Sequence, residues 1–292
     1  MKTRTFSYSR ILDYATCPHK HYLRNVCGIV SKNKHKALSF GHCMSEGMRE
    51  WRKAGDLNSA KEAFVKAWDL DGKNLKMTFD IDDPKDYRTV KRGFEILQAY
   101  ANEYPSEPQQ TLQSEIKFDG IFLGVVEETE IYLRGRIDSI FTIGNDISID
   151  EDKTTSQLGP MFFNSLRDSM QVGLYLWVAN QLGLFNIGNK PTTPRCILNA
   201  ILVHPKETRF ARDITIKSRS KLRAVKNNCL DWARQILIAE KLNIFPMNDV
   251  DNSICTKYGG CDYLPLRYVD GSMRGRLLEA EYVIKEKEGE LT

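Results

Sequence analysis

The sequence predicts an α/β protein with a mixed sheet flanked by helices and a helical N-terminal part. Three observations predict it. Apolar residues recur at helical spacing through roughly the first hundred positions, the period shortens to two from about residue 111, and helical patterns resume beyond residue 164 around one short apolar run.

Ser9-Arg10-Ile11-Leu12-Asp13-Tyr14 begins a helix, Phe40 to Trp51 reads as a second, and Tyr87 to Tyr104 sets Val90, Phe94, Ile96, Leu97 and Tyr100 near one stripe. Asp80 to Lys85 is acidic, carries Pro84 and reads as a loop. Leu112–Phe118, Ile121–Val126, Ile131–Phe141 and Ile147–Asp150 read as successive strands, punctuated by Gly120, Gly135 and the hairpin-type turn Gly144-Asn145-Asp146. A helix over Asn164–Leu184, a strand over Ile197–His204 and a helix over Lys217–Leu242 complete the order. The expected organisation is a single domain over 1–292, with a helical part to residue 110, a core over 111–205, and a C-terminal helix, cysteine-containing loop and tail over 206–292.

Composition narrows the class. The chain has 292 residues, 27% of them charged, and a net charge of +4. No run of about 18 apolar residues exists, so no membrane-spanning helix is expected; the most apolar stretch, Gly173 to Phe185, is broken by Asn180 and Gln181. No apolar run follows the basic N-terminus, so a secretion signal is not expected and a cytoplasmic location is. Seven cysteines, an odd count, argue against a disulfide framework. Between Lys206 and Lys226 eight cations face only Glu207 and Asp213. That segment is either a solvated helix face or a surface that neutralises phosphates, with Arg219, Lys221 and Arg223 as candidate nucleic-acid contacts.

The chemistry concentrates in Gly135-Arg136-Ile137-Asp138 and Asp150-Glu151-Asp152-Lys153-Thr154. Asp138 ends one predicted strand, and Glu151 and Lys153 lie two apart on the next, so they share a face. Two carboxylates and an amine in one place suit a hard divalent cation with a water beside it. The bland alternative is a charged surface hairpin. Asp150 could replace Glu151 as the site carboxylate, but alternation puts it on the face opposite Lys153. Gln171 and Tyr175 are spaced i, i+4 on the following helix and could look back at this site. Phe40-Gly41-His42, with Glu46 one turn on, offers a histidine.

Gly-x-x-Asp, then Glu-x-Lys-Thr, then Gln-x-x-x-Tyr, preceded by Gly-His and the opening Ser9 to Pro18, resembles in order and spacing the RecB-like branch of the PD-(D/E)xK nucleases, from about Ser7 to Pro265. The resemblance implies a restriction-endonuclease-like core and a metal-dependent deoxyribonuclease, an exonuclease at single-stranded or duplex DNA ends in recombination, repair or phage DNA processing. It implies that Asp138, Glu151, His42 and the Asp152 carbonyl hold Mg²⁺ or Mn²⁺, that Lys153 acts on water or phosphate, and that Gln171 and Tyr175 orient Lys153 and the strand. Glu115, on the first predicted strand, is a candidate further carboxylate, either behind the metal ligands or on a second metal, and a recombination or helicase protein a candidate partner. Many relatives hold an iron–sulfur cluster on four cysteines. Cys17-Pro18, Cys255 and Cys261 match three of them, but no cysteine stands near Arg267, where the fourth is expected. A degenerate, metal-free site is the preferred reading; a cluster completed by Cys27, or a zinc site, stays open. The rival function is a DNA-binding subunit of a recombination or packaging complex that cuts poorly. A small-molecule hydrolase lacks any G-x-S-x-G nucleophile motif.

Overall fold

The computed structural model describes residues 1–32, 35–74, 87–144, 146–187, 190–248, 255 and 260–285. Strand β1 (Lys2–Ser7) opens the chain, followed by α1 (Tyr8–Thr16), α2 (Pro18–His21), a π-helical turn (Tyr22–Val26) and β2 (Ile29–Ser31). Next come α3 (Lys36–Ala54), α4 (Leu57–Asn74), α5 (Val90–Glu103) and α6 (Glu107–Gln110). The central strands are β3 (Thr111–Val126), β4 (Thr129–Ile143) and β5 (Asp146–Thr155). Helices α7 (Pro160–Arg167) and α8 (Met170–Gln181), the short strands β6 (Asn186–Ile187) and β7 (Lys190–Pro191), then β8 (Arg195–Val203), β9 (Thr208–Ile216) and α9 (Arg219–Leu242) follow.

The helix starts are written in hydroxyl residues. Ser7, Thr89, Ser169 and Ser218 each sit in extended backbone and accept from the N–H three residues on, which satisfies a donor that the helix itself leaves open. Gly55 closes α3 in the left-handed conformation that glycine adopts without strain.

The main sheet is mixed. β4 pairs with β1 in parallel and with β3 and β5 antiparallel; β5 pairs with β8 in parallel, and β9 forms the edge beyond it. One face carries Phe6, Leu133, Ile149, Cys196 and Leu198 against the apolar sides of α1, α8 and α9. The other carries Ile201 and Val203 against Phe40, Met44, Phe64 and Tyr100 of α3, α4 and α5. A smaller cluster joins Leu23 and Ile29 to Tyr263, Leu266 and Tyr282, tied by pairing of β2 with β10 (Tyr282–Ile284).

Several elements differ from the sequence expectation. The segments Leu112–Phe118 and Ile121–Val126 form the single strand β3; Gly120, at φ +75°, accompanies a register shift within it rather than a turn. The helix expected over Asn164–Leu184 is two helices, since Ser169 caps a new start. β1, α4 and β9 had no periodic signal strong enough to call for them. β9 is an edge strand with charged positions, so part of the basic segment is strand rather than helix. The Asp80–Lys85 segment and Asn145 of the hairpin turn lie outside the described residues.

Candidate active site

Strand β3 covers one edge of β4 along nearly its whole length, so β1 and β5 share the other edge. β1 pairs with it as far as Ser7 opposite Arg134, and β5 pairs from Asp146 opposite Ile143 to Asp150 opposite Ser139. Between them lie Gly135, Arg136, Ile137 and Asp138. The end of β1 and the departing half of β5 therefore face each other across this gap, and Asp138 stands in the fork. Gly135 is required there because a Cβ would sit 2.6 Å from the Phe118 ring.

Glu151 and Lys153 project from β5 on one face. Glu151 is buried, and the Lys153 ammonium donates to it. Burial opposes the charge on Lys153, but the Glu151 carboxylate outweighs it and holds the amine above its ordinary range. Asp138 feels burial first, then the charges of Glu151 and Asp152, and its carboxyl is pushed up to about 7. The Asp152 N–H donates to Asp138 Oδ2 at 3.3 Å. From α8, Gln171 stands one turn before Tyr175, whose hydroxyl burial and then Glu151 push up to about 12. Asp138, Glu151, Lys153, Gln171 and Tyr175 are thus brought together. Tyr8 joins them unforeseen: burial, then the Glu151 charge, raise its hydroxyl above its ordinary value.

The alternate residues of β5 meet a different environment. Arg52 of α3 is 2% exposed and donates to both oxygens of Asp152, at 2.5 and 2.8 Å, lies 3.0 Å from Asp150 Oδ2, and donates to the Tyr100 hydroxyl. Both aspartates are therefore engaged with Arg52, and Asp152 also lines the small cleft that holds Asp138. A small cleft beside Asp138 is lined by Glu46, Arg49, Glu115 and Arg136. Glu115 pairs with Arg49 at 2.9 Å and Arg136 at 3.2 Å; burial opposes its charge, but these arginines hold its carboxyl below the usual range. Its charge is already answered by protein cations, which suits an organising carboxylate better than a metal ligand.

His42 reaches this cleft only indirectly. Gly41 lets α3 close on β5, since a Cβ there would lie 2.9 Å from Thr154 Oγ1. His42 Nε2 is 3.9 Å from Glu46, while Nδ1 is 3.3 Å from Asp71 of α4, which also accepts from Ser39 at 2.5 Å. Asp71 was not singled out in the sequence, because α4 itself was not expected. Among the described residues, His42, Cys43 and Asp71 are the one trio of potential ligands whose atoms lie within 4.8 Å of one another.

Cys17, Cys255 and Cys261 line a common cavity of about 40 Å³, and Arg267 forms part of its wall. Cys27 does not line that cavity, but it packs against the same apolar cluster as Cys261, that of Leu23, Ile29, Tyr263, Leu266 and Tyr282. Arg219, Lys221 and Arg223 are exposed on the first turns of α9, which packs along α8. No helix among the described residues is long and apolar enough to cross a membrane.

A family model described as the PD-(D/E)XK nuclease superfamily matches residues 5–266. No curated protein matches the chain. Among solved structures, a Eubacterium rectale protein named as an inferred exonuclease superposes with a TM-score of 0.52 at 13% identity, covering 85% of this chain and 86% of its own. SSO0001 superposes with a TM-score of 0.39 at 12% identity, covering 89% of this chain and 83% of its own. The likeness of fold rests on the first of these.

Proposed function

Because the chain belongs to the PD-(D/E)XK nuclease superfamily, we propose that it is a metal-dependent deoxyribonuclease that hydrolyses phosphodiester bonds at the fork occupied by Asp138, Glu151 and Lys153. The observation that carries this reading is the meeting of two carboxylates and an ammonium where β1 and β5 part along β4. Their donor set fits a hard divalent cation. The carboxyl of Asp138 is raised because negative charge is crowded and poorly hydrated there, a condition that bound Mg²⁺ or Mn²⁺ relieves. Asp138 and Glu151, with the Asp152 carbonyl, would hold such an ion, and His42 Nε2, which here lies beside Glu46 and apart from them, would join the set only by moving toward it. When bound, it supplies a nucleophilic water at neutral pH and screens the phosphate charge.

Lys153 stays protonated under the Glu151 charge, so its N–H groups can orient the attacking water or donate to the phosphate oxygen that gains charge as the bond to phosphorus forms. Tyr175 keeps its proton and is a donor, not a base, at neutral pH. Gln171, one turn before Tyr175 on α8, would orient Lys153 and the DNA strand together with it. A free DNA end as substrate is supported by the exonuclease name of the Eubacterium rectale neighbour; repair, recombination or phage DNA processing would be the setting.

The test is incubation with end-labelled single- and double-stranded DNA, with and without Mn²⁺. Metal-dependent release of short labelled products from one end is expected. Internal cuts alone would remove the exonuclease assignment. Binding without cleavage under any divalent ion would replace the enzyme with a DNA-binding subunit.

A further inference from the structure

Arg52 and Asp152 both stand in the wall of the cleft beside Asp138. Pairing of β5 with β4 stops at Asp150 opposite Ser139, whereas pairing with β8 continues through Asp152 opposite Asn199. The Asp152 backbone is therefore laddered on one side only. On the open side its N–H donates to Asp138 Oδ2 at 3.3 Å. In an extended strand the N–H and C=O of one residue point the same way, so the Asp152 carbonyl turns toward the fork as well. The side chain of the same residue is tied down by three donors. Arg52 reaches both of its oxygens, at 2.5 and 2.8 Å, and Asn199 Nδ2 reaches Oδ1 at 2.7 Å. Arg52 is itself fixed: it is buried, donates to the Tyr100 hydroxyl at 2.9 Å, and lies 3.0 Å from Asp150 and 3.4 Å from Glu107. Arg212 of β9 in turn donates to Tyr100 and Glu107, at 2.8 and 2.5 Å.

Stability alone does not call for this arrangement, since a buried ion pair gains little over apolar packing of the same shape. What the grip supplies is a fixed place for one peptide, at the point where the β4 ladder no longer holds it. Resting on the nuclease reading, we propose that Arg52 is a positioning residue for the metal site: through the Asp152 side chain it fixes the Asp152 peptide against Asp138, and by that rigidity it selects a small cation of strict geometry over a larger one. Mg²⁺ demands a near-ideal octahedron at about 2.0–2.1 Å, whereas Ca²⁺ accepts roughly six to eight oxygens at about 2.3–2.6 Å in adaptable arrangements. A peptide held from two elements suits the first ion, and a loosened one penalises it more than the second.

The test is metal binding in the absence of DNA. Bound Mn²⁺ is followed by its paramagnetic resonance, and Mg²⁺ and Ca²⁺ affinities are read from its displacement, for the whole chain and for Arg52→Lys, which keeps the charge and loses the two-point grip. Well below the variant's melting temperature, Mg²⁺ affinity is expected to fall about 10-fold or more and Ca²⁺ affinity clearly less, so the preference for Mg²⁺ narrows severalfold. In the metal-free variant the Asp152 amide proton should exchange faster than in the parent. Asn199→Ala takes one donor from the same carboxylate and is expected to shift the preference the same way by less; it decides the matter if Arg52→Lys does not fold. Leu23→Ala, a truncation in the apolar cluster of β2 and β10, is destabilised without touching the site and should keep the parent's preference. An unchanged preference in the folded Arg52→Lys protein, or an equal change in Leu23→Ala, reduces Arg52 to a structural ion pair and leaves the nuclease reading intact. Tighter binding of either ion in Arg52→Lys would mean that Arg52 withholds the Asp152 carboxylate from the metal, and equally overturns the proposal. A parent chain that binds none of these ions removes both readings.

Discussion

Arg52 of α3 holds Asp152 of β5 by two guanidinium nitrogens, at 2.5 and 2.8 Å, beneath the strand that carries Glu151 and Lys153. The pair settles which way β5 faces. With Asp150 also 3.0 Å from Arg52, both even-numbered aspartates turn toward α3, and the odd-numbered Glu151 and Lys153 must turn toward α8.

Arg52→Met should therefore be among the most damaging substitutions in the chain. It leaves Asp150, Asp152 and Glu107 buried without their shared cation, a loss of about 3–5 kcal/mol by analogy with broken buried ion pairs. Arg52→Lys keeps the charge but not the two-point grip and should fall between. Urea unfolding measures both; a cost below about 1 kcal/mol for Arg52→Met would mean that the aspartates find other partners.

Asp138 gives a pH signature. Its carboxyl lies at about 7 in the folded chain, above its ordinary value near 4, chiefly through burial and then Glu151 and Asp152. The raised value means that Asp138 favours folding fully below about pH 4 and that this contribution is lost as pH rises through 7. Asp138→Asn should thus stabilise the metal-free protein above pH 7, by up to about 4 kcal/mol at 1.36 kcal/mol per unit, and change little at pH 4. It should also abolish cleavage, as should Glu151→Ala. Calorimetric melting at the two pH values checks the sign; a loss of stability at pH 8 would contradict it.

Lys153→Ala should remove most turnover while metal binding persists. A protonated amine offers the ion no lone pair. Removing it also leaves the buried Glu151 without its cation, so the metal-free variant should melt earlier than the parent, and added Mn²⁺ should restore more stability than it gives the parent. Calorimetric titration decides the role: metal affinity lost from a folded variant would make Lys153 part of the metal site.

Asp71 should matter to metal affinity without touching the ion. By accepting from His42 Nδ1 it assigns the imidazole proton to that nitrogen and leaves Nε2 as the acceptor on the side of Glu46. Asp71→Asn should weaken Mn²⁺ binding about 10- to 100-fold, the usual cost of losing a partner of this kind. Equal affinities in the two proteins would take His42 out of the metal site.

The sequence made the β5 face legible because its logic is local. Alternation alone separates Glu151 and Lys153 from Asp150, and the Gln171–Tyr175 spacing alone puts two groups on one helical face. The environment of that face was not legible. Tyr8 reaches it because β1 lies parallel to β4, a pairing between residues more than a hundred positions apart. Arg52 stands one residue beyond the apolar pattern that marked its helix, and nothing near it in sequence reports that it faces two aspartates a hundred residues later.

Cys17, Cys255 and Cys261 do line one cavity, yet the position expected to bring a fourth thiolate carries Arg267, whose guanidinium has no lone pair to give a metal. Burial pushes the Cys261 thiol up, the opposite of what a standing thiolate needs. Protein purified without oxygen should therefore be colourless, with little iron and no broad absorbance near roughly 400 nm. Cys17→Ser separates the cases by stability. Without a cluster, the change costs what a small, partly buried thiol costs, about 1 kcal/mol. With one, Cys17 would tie α1 to the C-terminal segment through metal, and its loss would unfold that region by linkage. Brown protein with about four irons per chain that bleaches and unfolds in Cys17→Ser would refute the metal-free reading and require a fourth ligand, with Cys27 the first to examine.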